Sequence, residues 1–487
     1  MTDWTAYSSD SRLARGLQFV VPACVAGVAV GMAVSRGDGL VFAGGLLLLW
    51  LLVASFSRPV LAVCGLILLS PLVGNIAIVQ VSDLPDVTLD RLLCFWCVLV
   101  LVRSSRQVDV GSPGTPSRIL ATGLGPWALL WVAVLTASLA IGALRSSDQL
   151  AGIQLWLDQC ALPVALLIAA ARCAWSKTQW RAVLAAFVLA GCLWSGAAIA
   201  EVILRRSLFL SGGQLPWTPQ GSLVVRTGGP FGNPAVLGIA MGVVFALSLG
   251  ALWGRDLRLG VCIVGMAASL FGLAVTLTRA SWLAFGVGLV AAVLLARPQG
   301  RIRIAFGALL AVMVGYSILV SVYGLPVLES RLSSQDSGYN RLVGTSSAVS
   351  LALDNPVFGI GIGEFYQVSQ QPGVFESVMG VSSAYGIGVR APHNSIVDAA
   401  VSAGLVAAAA VIALWVALLR RFLRIWKWGA TRSIGAAGVL ILTLFAVNAL
   451  FIDVSLTNHI NGLVLLVLGV MAGRAASERL RLQGEVT

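Results

Sequence analysis

Two histidines occur in 487 residues. One of them, His393, follows Arg390 in "RAPHN" at the head of a long apolar run, with Asn394 beside it. An unperturbed imidazole has a pKa of about 6.5, so it is mostly neutral at pH 7 and accepts a proton. Three more arginines stand in telling company. Arg279 sits in "LAVTLTRASWLAFG", between two apolar runs with almost no loop between them. Arg341 opens "RLVGTSSAVSLALDNP", and Arg226 opens "RTGGPFGNP", where glycines let a backbone approach a ligand closely. A guanidinium keeps its charge, and its fork matches phosphate oxygens. A positioned histidine can deprotonate a hydroxyl. Together these side chains describe transfer with a phosphate leaving group: arginines hold a pyrophosphate and its developing charge while histidine activates an attacking alcohol. Each residue also has a plainer reading. Arg279 snorkels to headgroups, Arg226 and Arg341 are solvated loop charges, and His393 caps the helix after it. His459, in "SLTNHINGL", reads as structural.

The elements that must position these groups are apolar. The chain is 58% hydrophobic and 11% charged, with a mean hydropathy of +0.93, whereas soluble domains carry about 25% charged residues. The composition predicts an all-α polytopic membrane protein. Apolar runs long enough to cross roughly 30 Å of hydrocarbon are expected near 17–34, 40–55, 60–79, 87–102, 122–142, 155–171, 182–203, 234–253, 259–276, 281–296, 304–322, 394–419, 434–452 and 459–473. Short runs such as 40–55 and 281–296 leave 12 to 14 transmembrane helices.

Basic residues give the orientation. With the N-terminus in the cytoplasm, alternation places 22 of the 32 Lys+Arg on inside segments, the bias that sets topology in membrane proteins. Both termini are then cytoplasmic. Ten arginines break the rule: 36, 91, 145, 205, 206, 226, 279, 331, 341 and 390. Charges placed against the bias need another reason. The expected division is 1–203, N-terminal helices; 204–322, central helices with an outward loop at 204–233; 323–393, a large periplasmic loop; and 394–487, C-terminal helices with a short tail. In the large loop, Leu342, Val349 and Leu353 recur at helical spacing before Asn355-Pro356, which predicts a short amphipathic helix on the outer membrane face.

Other chemistries fit less well. The net charge of +12 suggests nucleic acid only until its distribution is read as topology. "GIGIGEF" lacks the third glycine of a dinucleotide loop, because Glu364 stands there, and reads as a flexible loop. No cofactor is called for. The rival metal centre is Asp83, Asp86 and Asp90 in "SDLPDVTLDR", partly neutralised by Arg91. The eight cysteines, including "CFWC" at 94–97, lie in apolar segments or at their edges and read as small buried hydrophobes. A lipid-linked-oligosaccharide flippase would also use arginines on pyrophosphate, but such transporters often have paired halves, and no internal repeat is visible.

"TLTRASWLAFG", "NRLVGTSSAVSLALDNPVFGIGIGEF" and "APHNSIVDAAVSAGLV", in that order, resemble the O-antigen ligase/polymerase superfamily over about residues 220–420. The resemblance implies a GT-C-type, metal-independent glycosyltransferase of the bacterial cytoplasmic membrane. Its donor would be a glycan on undecaprenyl pyrophosphate, bound on the periplasmic face, with inversion by in-line attack. It carries pyrophosphate binding onto Arg279 and Arg341, more weakly onto Arg226, and the general-base role onto His393. Arg390 and Asn394 are candidate further substrate contacts. Acceptors in the superfamily are lipid A-core for ligases, another lipid-linked repeat for polymerases, and protein hydroxyls in a third branch. The protein-modifying branch often carries a further C-terminal region, and this chain ends about 14 residues after its last apolar run. The expectation is a ligase, with a polymerase as the alternative.

Overall fold

The computed structural model describes residues 52–73, 77–79, 87–109, 124–209, 226–295, 307, 336–369, 392–452 and 458–483. They form a helical bundle. Its elements are α1 (Pro59–Val73), α2 (Leu89–Asp109), α3 (Pro126–Leu144), α4 (Gln149–Arg172), α5 (Lys177–Leu204), α6 (Pro234–Gly254) and α7 (Leu259–Val275). They continue with α8 (Arg279–Leu295), α9 (Asp336–Asp354), α10 (Phe365–Ser369), α11 (Ser395–Ala403), α12 (Leu405–Lys427), α13 (Arg432–Ala449) and α14 (Asn458–Leu482). Among the described residues, seven helices are long and apolar enough to cross a membrane, and α1, α7 and α8 are shorter apolar helices. The expected run at 17–34, and nearly all of those at 40–55 and 304–322, lie outside the described residues. The all-α reading holds, apart from a two-stranded antiparallel ribbon of Ala77–Val79 on Val87–Thr88. That ribbon takes the end of the expected 60–79 run, whose helix stops at Val73.

Local chemistry sets the helix boundaries. Ser176 and Gln179 form a reciprocal capping box at the start of α5. Asn233 caps α6, with Pro234 in the first turn, where a missing N–H costs nothing. The expected 394–419 helix is broken. Gly404 has φ +88°, and a Cβ there would meet the Val357 carbonyl oxygen at 2.2 Å. The Leu405 N–H donates to the Pro356 carbonyl at 2.8 Å. The turn after α9 therefore wedges between α11 and α12, at a position only glycine fits.

Helix α6 forms the centre. It packs on α5, α7, α8 and α13, and small residues allow the close approach that membrane helices use in place of a hydrophobic driving force. A Cβ on Gly238 would meet the Ser281 hydroxyl at 2.4 Å, and one on Gly250 the Ala437 Cβ at 2.7 Å.

The helices alternate so that the bundle has two unlike ends. At the basic end, the Arg474 guanidinium donates to the Trp175 carbonyl, the Trp180 indole to Asp256 and the Trp426 indole to the Leu295 carbonyl. At the other end lie the start of α8, the loop before α6, and α9 and α11. Described cysteines fill apolar space as expected, although Cys64 and Cys192 are only half-buried.

Candidate active site

The geometry begins with the turn between α7 and α8, Thr276-Leu277-Thr278. Thr276 donates its hydroxyl to the Leu273 carbonyl at 2.8 Å, and Thr278 donates its own to the Thr276 carbonyl at 3.2 Å. All three residues are buried, and Leu277 sits at φ 50°. The turn ends on Arg279, which is exposed as the first residue of α8. A cation at a helix N-terminus opposes the helix dipole, which favours an anion there.

Arg226 closes on the same turn. Its Nη2 donates to the Thr278 hydroxyl at 3.2 Å and its Nε to the Thr276 carbonyl at 3.5 Å. A residue that sequence reasoning passed over holds it there. Glu201, 1% exposed near the end of α5, accepts hydrogen bonds from the Ser207 hydroxyl (3.1 Å), the Leu208 N–H (2.9 Å), the Gly229 N–H (2.9 Å) and the Thr227 hydroxyl. One buried carboxylate thus ties both described ends of the 207–229 segment to the bundle, next to Arg226. The signal was present in "AIAEVILRR": an acid at the end of an apolar run is a functional or positioning candidate.

Arg341 comes from α9. This helix starts at Asp336, more than a turn before the expected start at Arg341. It buries Val343, Ser347 and Leu351, while the expected apolar positions Leu342, Val349 and Leu353 stay exposed. Arg341 lies near enough to Arg279 for the two charges to act on each other. Burial lowers its pKa from the ordinary arginine value, and the Arg279 charge lowers it further. One turn on, Thr345 donates its hydroxyl to the Pro392 carbonyl at 2.8 Å. This bond fixes the segment carrying His393 against α9.

His393 is half-buried at φ 54° and does not cap α11. Asn394 does so, accepting from the Ile396 and Val397 N–H groups at 2.9 and 3.2 Å and donating to the Leu450 carbonyl at 3.3 Å. Burial lowers the His393 pKa from 6.5, and the Arg341 charge adds to the shift. The neutral imidazole, the form able to accept a proton, is therefore the favoured one at pH 7. Four described non-glycine residues have positive φ. Arg205 and Arg255 are ordinary helix C-caps; the other two, Leu277 and His393, flank this site. Such conformations cost about 1–3 kcal/mol each and cluster where function needs them.

The structure thus joins Arg226, Arg279, Arg341 and His393 in one chain of contacts and charge interactions from four separate segments. Arg390, Arg331, Asp83 and Asp86 lie outside the described residues, as does the side chain of His459. Asp90 is buried, and Arg91 grips Asp158 with two bonds, at 2.7 and 2.6 Å. That ion pair accounts for one outward arginine without any chemistry. Another, Arg145, lies over the Phe358 ring at 5.5 Å.

The "GIGIGEF" segment is a clamp rather than the expected flexible loop. Ile360 N–H donates to the Val401 carbonyl at 2.8 Å, and Gly361 N–H to the Ser402 carbonyl at 3.2 Å. A Cβ on Gly359, at φ +66°, would meet the Ala403 nitrogen at 2.5 Å. Glu364 accepts from the Ser146 and Ser147 hydroxyls, both at 2.7 Å, and from the Ser147 N–H at 2.8 Å. Burial alone would raise its carboxyl pKa; these bonds outweigh it and leave the group below its ordinary value.

Residues 264–412 match the sequence profile of a family described as O-antigen ligase. This part of the chain is similar to O-antigen ligases. It contains Arg279, Arg341 and His393, whereas Arg226 lies upstream of it, so the match is narrower than the 220–420 resemblance. The family indicates a glycosyltransferase-like ligase or polymerase in a multi-pass membrane protein. No curated protein matches the chain. Within the matched segment, the α7–α8 turn, α9 and the α11 start are linked by the Thr345–Pro392 bond and by charge interactions.

Proposed function

We propose that this protein transfers a glycan from undecaprenyl pyrophosphate to an acceptor hydroxyl, in the manner of an O-antigen ligase acting on lipid A-core. The supporting observation is the chain of contacts and charge interactions Arg226–Thr278/Arg279–Arg341–His393, built from four segments at one end of the bundle. Arg279 and Arg341 would bind the pyrophosphate, whose charge relieves the repulsion between the two guanidiniums. Arg226, held by Glu201, would brace the turn and add a third cation. The neutral His393 imidazole takes the proton of the acceptor hydroxyl as its oxygen attacks the anomeric carbon. The bond from that carbon to the pyrophosphate oxygen breaks, and undecaprenyl pyrophosphate leaves as the arginine-bound anion. In-line attack inverts the anomeric centre.

The site would face the periplasm of the bacterial cytoplasmic membrane, with both termini inside and the expected four-part division of the chain. The test uses the full-length protein in vesicles, with a lipid-linked glycan donor and lipid A-core. Transfer should proceed in EDTA, and His393→Ala should lower it about 10²–10⁴-fold, the usual worth of a general base. Full transfer by His393→Ala would overturn the mechanism, and loss of transfer in EDTA would overturn its metal-independence.

A further inference from the structure

Helix α11 separates two unlike surfaces. On one side Ala400 and Val401 pack with Val343, Ala348 and Leu351, and so face α9, which carries Arg341. On the other side Ser395, Asp398, Ala399 and Ser402, spaced to share one helix face, line a cavity of about 130 Å³. Its mouth begins two residues after His393.

The cavity combines polar and apolar lining. Gln159, Ser395, Asp398, Ser402 and Asn461 come from three elements, α4, α11 and α14. Gln159 lies in a π-helical turn, Leu157–Ala161, in the middle of α4. Such turns are rare and recur at functional sites. Asp158, in the same turn, bonds Arg91. Much of the remaining wall is apolar, with Val411, Leu414 and Leu418 on α12 and Val464 and Leu468 on α14. On each of these helices the lined stretch covers about 10 Å at 1.5 Å per residue. Protein interiors normally close such space, and an apolar cavity of similar size, about 150 Å³, stays dry and takes up apolar guests.

We infer that this cavity holds one aliphatic chain of the acceptor, a glycolipid whose sugar hydroxyls meet Gln159, Asp398 and Asn461 near His393. The inference rests on the proposed transfer reaction and places its second substrate. A carboxylate, two amides and hydroxyls suit sugar hydroxyls. Among the described residues no lysine or arginine lines the cavity, so it does not suit the pyrophosphate of the donor, whose proposed ligand Arg341 is on α9, across α11. Donor and acceptor then approach His393 from opposite faces of one helix.

The test reads binding, so it stands apart from whether transfer occurs. The full-length protein in nanodiscs is exposed to three probes carrying a diazirine in the aliphatic chain: lipid A, undecaprenyl pyrophosphate and phosphatidylethanolamine. The lipid A probe should label Val411, Leu414 and Leu418 several-fold more than Ile412 and Val416, which point out of the bundle on the same helix. Leu414→Trp should remove most of that labelling and Ile412→Trp none of it. Val411→Phe serves the same purpose if Leu414→Trp does not fold. Three results overturn the inference: labelling confined to Ile412 and Val416, cavity labelling by undecaprenyl pyrophosphate, or equal cavity labelling by phosphatidylethanolamine. If the cavity labels as expected but no transfer occurs, the reaction is wrong and the site stands.

Discussion

Arginines crowd both ends of this bundle, but their surroundings differ. At the basic end, the Arg432 guanidinium lies 4.9 Å from the Trp426 ring centre, and Arg421 and Arg479 lie 5.2 and 4.7 Å from that of Trp428. Glu478 bonds both Arg474 and Arg481, at 2.8 and 2.6 Å. Rings and a carboxylate of the protein itself answer those charges. At the other end the Arg279 charge acts on Arg341, with a third guanidinium, Arg226, bonded into the turn that presents Arg279. An arrangement that leaves like charges facing each other is suited to an anion supplied from outside. Residue type is the same in the two places; the difference lies in what each charge acts on, rings and a carboxylate at one end and a second guanidinium at the other.

Exchanging arginine for lysine separates the two ends. Lysine keeps the charge but loses the planar fork. At Arg341 it should cost about 1.5–3 kcal/mol of donor interaction, the worth of a charged hydrogen bond, or about 10–10² in kcat/KM. Arg432→Lys keeps a cation over Trp426, a contact worth about 0.5–1 kcal/mol where exposed, and should leave transfer unchanged. Equal losses in the two variants, measured on vesicles of matched protein content, would erase the distinction between the ends.

That distinction was only half legible in the residue order. The apolar runs gave the bundle, because hydropathy over span-length windows depends on nothing distant. The break at Gly404 was not visible, since what demands it is the Val357 carbonyl, nearly fifty residues away in the chain. The arginines that oppose the charge bias formed a short list, yet the order of residues could not sort it. Arg91 turned out to serve Asp158 and Arg145 a phenylalanine ring, while Arg226 bonds the turn that presents Arg279, whose charge acts on Arg341. Partners distant in sequence decide such sorting. Glu201 was a different kind of miss, because a lone acid at the end of an apolar run carried a readable signal.

Glu201 tests how far the arginine cluster depends on its support. Glu201→Gln keeps the volume but turns an NH2 group toward donors that need an acceptor. A buried donor left unsatisfied costs about 1–3 kcal/mol. If Glu201 acts by holding Arg226 on the turn, donor KM should rise more than kcat falls. Pairing Glu201→Gln with Arg226→Gln should then cost little beyond the larger single effect. Additive losses in that pair would mean that Glu201 stabilises the fold without acting through Arg226.

The smallest expected effect is on pH dependence, and it isolates the influence of the arginines on the histidine. The folded-state pKa of His393 is lowered below 6.5, first by burial and then by Arg341. Neutral His393 therefore contributes stability that is present above the unfolded value and lost as pH falls through the folded one. A neutral base is also needed for transfer, so the acidic limb of kcat/KM against pH, which reports the free enzyme, should have its midpoint below 6.5. Arg341→Gln removes the second cause and leaves the first, so the residual activity should show a limb displaced upward yet still below 6.5. Arg341→Lys keeps the charge and should keep the limb in place. The displacement appears only near the limb. A limb unmoved in Arg341→Gln would separate His393 from the arginine pair, and a midpoint above 6.5 would mean that burial does not govern the imidazole.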